Sequence, residues 1–151
     1  MTKVPLPPPA PPPKLLKVGV LKVAKEDLNE IAGEMVRERF WAVIEQLRND
    51  ALLQESLRKN FFGEGDTDRY THVIGVRSIT GLRKRVPERD VWRFKIWSLD
   101  NGGLKFRFFY AFFETEPQII ILGVADRDDA YELDSPLIQR ICSDYDRFGG
   151  R

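Results

Sequence analysis

The chain has 151 residues, 24 Lys and Arg against 23 Asp and Glu for a formal net charge of +1, and one cysteine and one histidine. That length holds one domain of about 100 to 150 residues around a single core, not a multidomain enzyme, and a lone Cys142 with a lone His72 excludes a disulfide framework and a Cys/His zinc set. No stretch reaches the roughly 18 to 20 apolar residues of a membrane span, and the opening MTKVPLPPPAPPP lacks the apolar core of a signal peptide, so a soluble, cytoplasmic protein without cofactor or metal is expected.

In chain order, PLPPPAPPP at 5–13 fixes backbone dihedrals and removes amide donors, so residues 1–14 read as a disordered or polyproline tail. A linker is the plain reading and an aromatic-groove ligand the sharper one; no function is assigned to it. LLKVGVLKV at 15–23 predicts a short strand weakened by Gly19. From about Asp27, Leu28, Ala32, Val36, Phe40, Val43 and Leu47 recur every three or four residues, which predicts an amphipathic helix. Asn49 and Asp50 interrupt it, and Ala51, Leu53 and Leu57 predict a shorter second helix ending near KNFFGEG. Met35, Phe40 and Trp41 are read as core, since helical spacing alone explains them.

GEGDTD at 63–68 is a polar loop, and its single GxG is a very weak nucleotide signal. After it come the alternating YTHVIGV, the basic GLRKRVPERD, and VWRFKIWSLDNGGLKFRFFYAFF at 91–113, read as a hairpin. QIIILGVA at 118–125 is continuously apolar, as a strand in the middle of a sheet would be. DSPLIQRICSDYDRF predicts a last helix starting at Ser135 with Pro136 at its first position; Leu137, Ile138 and Ile141 face inward and Cys142 is a packed residue. The expected fold is α+β: a helical hairpin on one face of a mainly antiparallel four- to five-stranded sheet, with a short C-terminal helix.

The charge is uneven. Residues 69–107 carry ten basic side chains against three acidic, +7, which leaves about −6 for the rest of the chain, so a local anion site is indicated rather than a uniformly basic surface. In a strand over 91–97, Trp92, Phe94 and Ile96 share one side and Arg93, Lys95 and Trp97 the other. In the next strand Phe106, Phe108, Tyr110 and Phe112 oppose Lys105, Arg107 and Phe109. Burial favours a three-residue loop with a glycine at positive φ, and that register sets Lys95 opposite Arg107. Like charges facing each other cost a few tenths to about 1 kcal/mol, so an anion is expected to offset them, a phosphate fitting best. A solvated outer face is the alternative. The neighbouring Arg83, Lys84 and Arg85, the arginine of ADRDDAY, and Trp97 and Phe109 as stacking rings favour single-stranded RNA.

VWRFKIW, KFRFFYAFF and IIILGVADRDDAY, in that order after a strand and a helical pair, resemble the RelE/ParE superfamily of bacterial type II toxin–antitoxin toxins over about residues 15–142. The resemblance implies a RelE-like toxin domain at 15–148, a cognate antitoxin, and, in RelE-like members, cleavage of messenger RNA in the ribosomal A site by metal-independent attack of the ribose 2′-hydroxyl. It carries catalytic roles to Arg93, Lys95, Arg107, Arg127 and Tyr131. Arg83, Lys84, Arg85, Trp97, Lys105 and Phe109 are the expected RNA-binding residues. Such cleavage needs a base, an acid, and cations for the charge on phosphorus, and a lysine among cations has a lowered proton affinity, which points to Lys95 as base or acid. His72 lies outside the matched motifs, and Asp126, Asp128, Asp129 and Glu132 read as a solvated turn rather than a metal site. Two other functions stay open: inhibition of DNA gyrase by protein contact, as in ParE-like members, and antitoxin or regulatory binding alone.

Overall fold

The computed structural model describes residues 4–8, 14–58, 74–78, 89–130 and 135–149, with the side chains of residues 77, 78, 129 and 130 left out. Among the described residues five strands, β1 (Lys17–Val20), β2 (Ile74–Ser78), β3 (Val91–Ile96), β4 (Phe106–Phe113) and β5 (Gln118–Asp126), form one open sheet in the order β1-β5-β4-β3-β2. Helices α1 (Lys22–Ile31), α2 (Glu34–Asn49) and α3 (Ala51–Ser56) follow β1; α4 (Trp97–Asp100) follows β3, and α5 (Arg127–Ala130) and α6 (Pro136–Phe148) close the chain. The class is α+β as expected, but the sheet is mixed. β1 pairs in parallel with β5, Lys17 opposite Gln118 through Val20 opposite Ile121, a pairing that needs a connection far longer than a hairpin turn.

The helical run predicted from Asp27 begins earlier and is broken at Ala32 and Gly33, which separate α1 from α2. Asp50 caps α3 by accepting from the Leu52 and Leu53 N–H groups, both at 3.1 Å, the role expected of an Asx residue at a helix start. Ser135 does the same for α6, with Pro136 in its first turn.

Two cores lie on the two sheet faces. On the first, α1, α2 and α3 bury Leu28, Phe40, Ile44, Leu47 and Leu53 against Phe94, Phe108, Tyr110, Ile119 and Ile121. Phe108 stacks between Phe40 and Phe94, at 5.1 and 5.0 Å between ring centroids, contacts that add about 0.5–1.5 kcal/mol each beyond area burial. Phe40 is core and Trp41 packs beside it, whereas Met35 is 57% exposed, a correction to its reading as core. On the second face α6 lays Ile138, Ile141, Cys142 and Tyr145 over Val91, Phe109, Ala111, Ile120 and Leu122. β5 is therefore covered on both sides, which is why its sequence lacks alternation. A bulge between Phe109 and Tyr110 in the β4–β5 register puts Leu122 and Ala125 on one face and Ile121 and Val124 on the other. Gly123 sits at this bulge with Ile141 so close that a Cβ would lie 3.0 Å from its Cδ1, so α6 comes down on backbone there.

Candidate anion site on the outer sheet face

β3 and β4 bring part of the predicted cationic set together. Arg93 pairs opposite Phe109 and Phe94 opposite Phe108, and beyond this pairing Lys95 and Arg107 both reach Asp100. The connection is not a three-residue loop. It is the helical turn α4 followed by a glycine-containing turn, in which Gly103 takes φ +83° and the Leu104 N–H donates to Leu99 O at 2.9 Å. Leu99 is buried in the first core. Anchoring Leu99 on one side of the sheet end sends its neighbour Asp100 to the other.

That placement decides the electrostatics. Arg107, 6% exposed, donates from Nη1 and Nη2 to the two Asp100 carboxylate oxygens, at 2.9 and 3.3 Å, and from Nη1 to Phe106 O at 2.9 Å. Lys95 Nζ lies 3.9 Å from Asp100 Oδ2 and 3.8 Å from the centre of the Trp97 ring, an ion pair and a cation–π contact together. The anion that the facing cations call for is thus supplied from within the chain. A buried arginine needs such a partner, since an uncompensated guanidinium in a dry environment is strongly destabilising.

The other predicted residues divide by position. Arg93 is half-buried on the same strand face, and it has a further partner of its own. Trp97 opens α4 instead of ending β3; its ring is under Lys95 and its Nε1–H is buried with no hydrogen-bond partner among the described residues. Phe109 is fully buried beneath α6, so its ring is core and not a platform for a base: alternation placed it on the outer face, but α6 covers that face here. Lys105 is exposed, and its carbonyl accepts from the N–H of Arg127 at 2.8 Å. Arg127, the first residue of α5, is exposed, and its backbone lies just beyond the Arg107–Ala125 pair. Arg83, Lys84, Arg85, Tyr131 and His72 lie outside the described residues, as does Glu132. Asp126 and Asp128 are exposed at the end of β5 and the start of α5. Among the described residues no group of three His, Cys, Asp or Glu side chains is placed to hold a metal ion, and no helix is long and apolar enough to cross a membrane.

Asp100, which pairs with both Arg107 and Lys95, is not among the residues that the sequence pattern singles out. Its one signal was being the single acidic side chain between the two basic strands. Comparison with protein-family models, with curated proteins and with solved structures finds no match.

Proposed function

We propose that the chain is a RelE/ParE-type protein that acts by binding a macromolecular partner through the part of this sheet face around Arg93, Lys95 and Asp100 that α6 leaves uncovered, not by cutting RNA. The observation that carries this reading is the Asp100 carboxylate. Metal-free attack by a ribose 2′-hydroxyl requires positive charge aimed at the phosphorus as its negative charge grows. Here the most buried cation of the set, Arg107, is held by both oxygens of Asp100, and Lys95 shares that carboxylate. The order of elements, a strand, helices, further strands and a closing helix, and the motifs of β3 to β5 support the family part of the reading. Protein contact with DNA gyrase, under control of a cognate antitoxin, is the function of this class that needs no exposed catalytic cations.

A second reading, ribosome-dependent messenger RNA cleavage, is favoured by one observation: Arg93, Lys95 and Arg107 fall at alternate positions of adjacent strands in the register of a single face. Primer extension on messenger RNA after brief expression separates the two. Intact message with altered plasmid supercoiling is the expected result. New 5′ ends inside codons that vanish in Lys95→Ala or Arg107→Ala overturn the binding reading in favour of the nuclease, and intact message with unaltered supercoiling restricts the function to antitoxin or regulatory binding.

A further inference from the structure

At the end of the sheet where β4 turns into β5 a groove of about 780 Å³ opens between α6 and the strand ends. Its aromatic walls are Trp92, Phe112, Phe113, Tyr145 and Phe148. Phe113 meets Tyr145 and Phe148 at 5.5 and 4.9 Å between ring centroids, and Phe148 is 43% exposed. Among the described residues its rim carries Asp90, Glu114 and Glu116 together with Arg58, which lies over the Phe112 ring at 4.3 Å. Apolar rings with a carboxylate rim are suited to a proline-rich strand flanked by lysine, whose preformed backbone gives up little entropy on docking.

The chain carries such a strand. Polyproline II has three residues per turn, so Pro5, Pro8, Pro11 and Lys14 fall along one edge, three rings and a cation in line. The segment is rooted beside the groove: Lys17 pairs with Gln118, and Gln118 lines the groove. It is not buried against its own chain where described, since Val4 and Leu6 are 88% and 91% exposed. Leu16 is pinned by Gln54, which accepts from its N–H at 2.8 Å and donates to its carbonyl at 3.0 Å, so the proline-rich segment joins the folded chain just before this anchor. Nine residues in a polyproline II conformation would span about 28 Å at 3.1 Å per residue.

We infer that the groove receives residues 5–13 of a second copy of this chain. Because each segment starts beside its own groove, a two-fold axis between two grooves lets both segments exchange, giving a closed dimer in place of an open chain of copies. Lys14 of each segment then meets the carboxylate rim of the other. This assignment is independent of what the outer sheet face binds.

Sedimentation velocity of the full chain over a concentration series tests it, with two variants outside the folded core. P5A/P8A/P11A removes the proline edge and leaves the groove; E114K/E116K reverses the rim on an exposed turn and leaves the segment. The native chain is expected to dimerise, each variant to dimerise about tenfold more weakly or worse, and an equimolar mixture of the two variants to recover part of the association, because one intact segment then finds one intact groove. A native chain that stays monomeric at every concentration overturns the assignment. So does a dimer indifferent to P5A/P8A/P11A, or a mixture that associates no better than its components.

Discussion

Arg140 of α6 grips Asp27 of α1 with both ends of its guanidinium, Nη1 to Oδ1 at 2.8 Å and Nη2 to Oδ2 at 2.5 Å, although the two helices pack on opposite faces of the sheet. The pair closes around the edge of β5 where β1 has ended. Asp27 Oδ2 also accepts from the Val124 N–H at 3.2 Å, satisfying an edge amide that no strand among the described residues covers. Asp27→Ala is expected to destabilise by about 2–3 kcal/mol, since it leaves the Val124 amide unpaired and a partly buried guanidinium with only the longer contact to Asp144, at 3.8 Å. Arg140→Ala should cost about as much, and the double variant less than the sum. Urea unfolding of the four proteins measures the coupling; additive losses would mean that the pair does not join the two layers.

Gln54 does for β1 what a neighbouring strand does elsewhere. It is 3% exposed, and its amide holds the N–H and carbonyl of Leu16 and the carbonyl of Leu47, all between 2.8 and 3.0 Å. Replacing it with leucine keeps much of the volume and removes all three bonds. Gln54→Leu should lose about 2–4 kcal/mol, with hydrogen exchange at the Leu16 amide accelerating before that of β4. Equal protection at both sites would show that Leu16 has another anchor.

Local pattern exposed some of this architecture and was blind to the rest. QIIILGVA announces β5 because a strand buried on both faces has no polar side to show, and Ser135 with Pro136 announces α6. The break between α1 and α2 leaves no trace in the apolar spacing, since Leu28, Ala32 and Val36 keep a step of four across it. The parallel pairing of β1 with β5 joins residues about a hundred positions apart, and no local signal encodes it. At the candidate site, alternation put Lys95 and Arg107 near one another, and Asp100 meets both. What it missed is non-local in the same way: α6 descending on Phe109, and Leu99 anchoring a turn that aims Asp100 at both cations. An aspartate beside an Asn-Gly turn looks like ordinary turn chemistry.

The Tyr110 hydroxyl makes stability fall at high pH. It is buried and donates to Leu57 O at 2.6 Å; burial, reinforced by the Asp90 charge, raises it well above the ordinary tyrosine value of 10.0. The folded chain therefore keeps a proton that the unfolded chain releases near pH 10, and stability present below that pH is lost as pH rises above it, by up to about 1.4 kcal/mol per unit for this one group. Urea midpoints at pH 9 and 11 should drop more steeply for the native chain than for Tyr110→Phe, which gives up the hydrogen bond at both values but has no proton to lose. Parallel slopes would remove Tyr110 from the account.

Asp100 is where fold and proposed function meet most directly. Asp100→Asn preserves shape and withdraws the charge that Arg107 and Lys95 share. Two opposite effects should follow from one substitution. Stability should fall by about 2–4 kcal/mol, because a guanidinium only 6% exposed loses its counter-ion. Affinity for polyanions should rise, because two cations facing each other across adjacent strands then need an external partner. Fluorescence anisotropy with a labelled single-stranded RNA at low and moderate salt reads the second effect: Asp100→Asn should bind at least about tenfold tighter, and its salt slope should steepen by about one to two released counter-ions. In Asp100→Asn/Arg107→Ala most of that gain should disappear. If Asp100→Asn loses stability but gains no anion affinity, the Asp100–Arg107 pair only braces the hairpin, and the outer face is not a latent anion site.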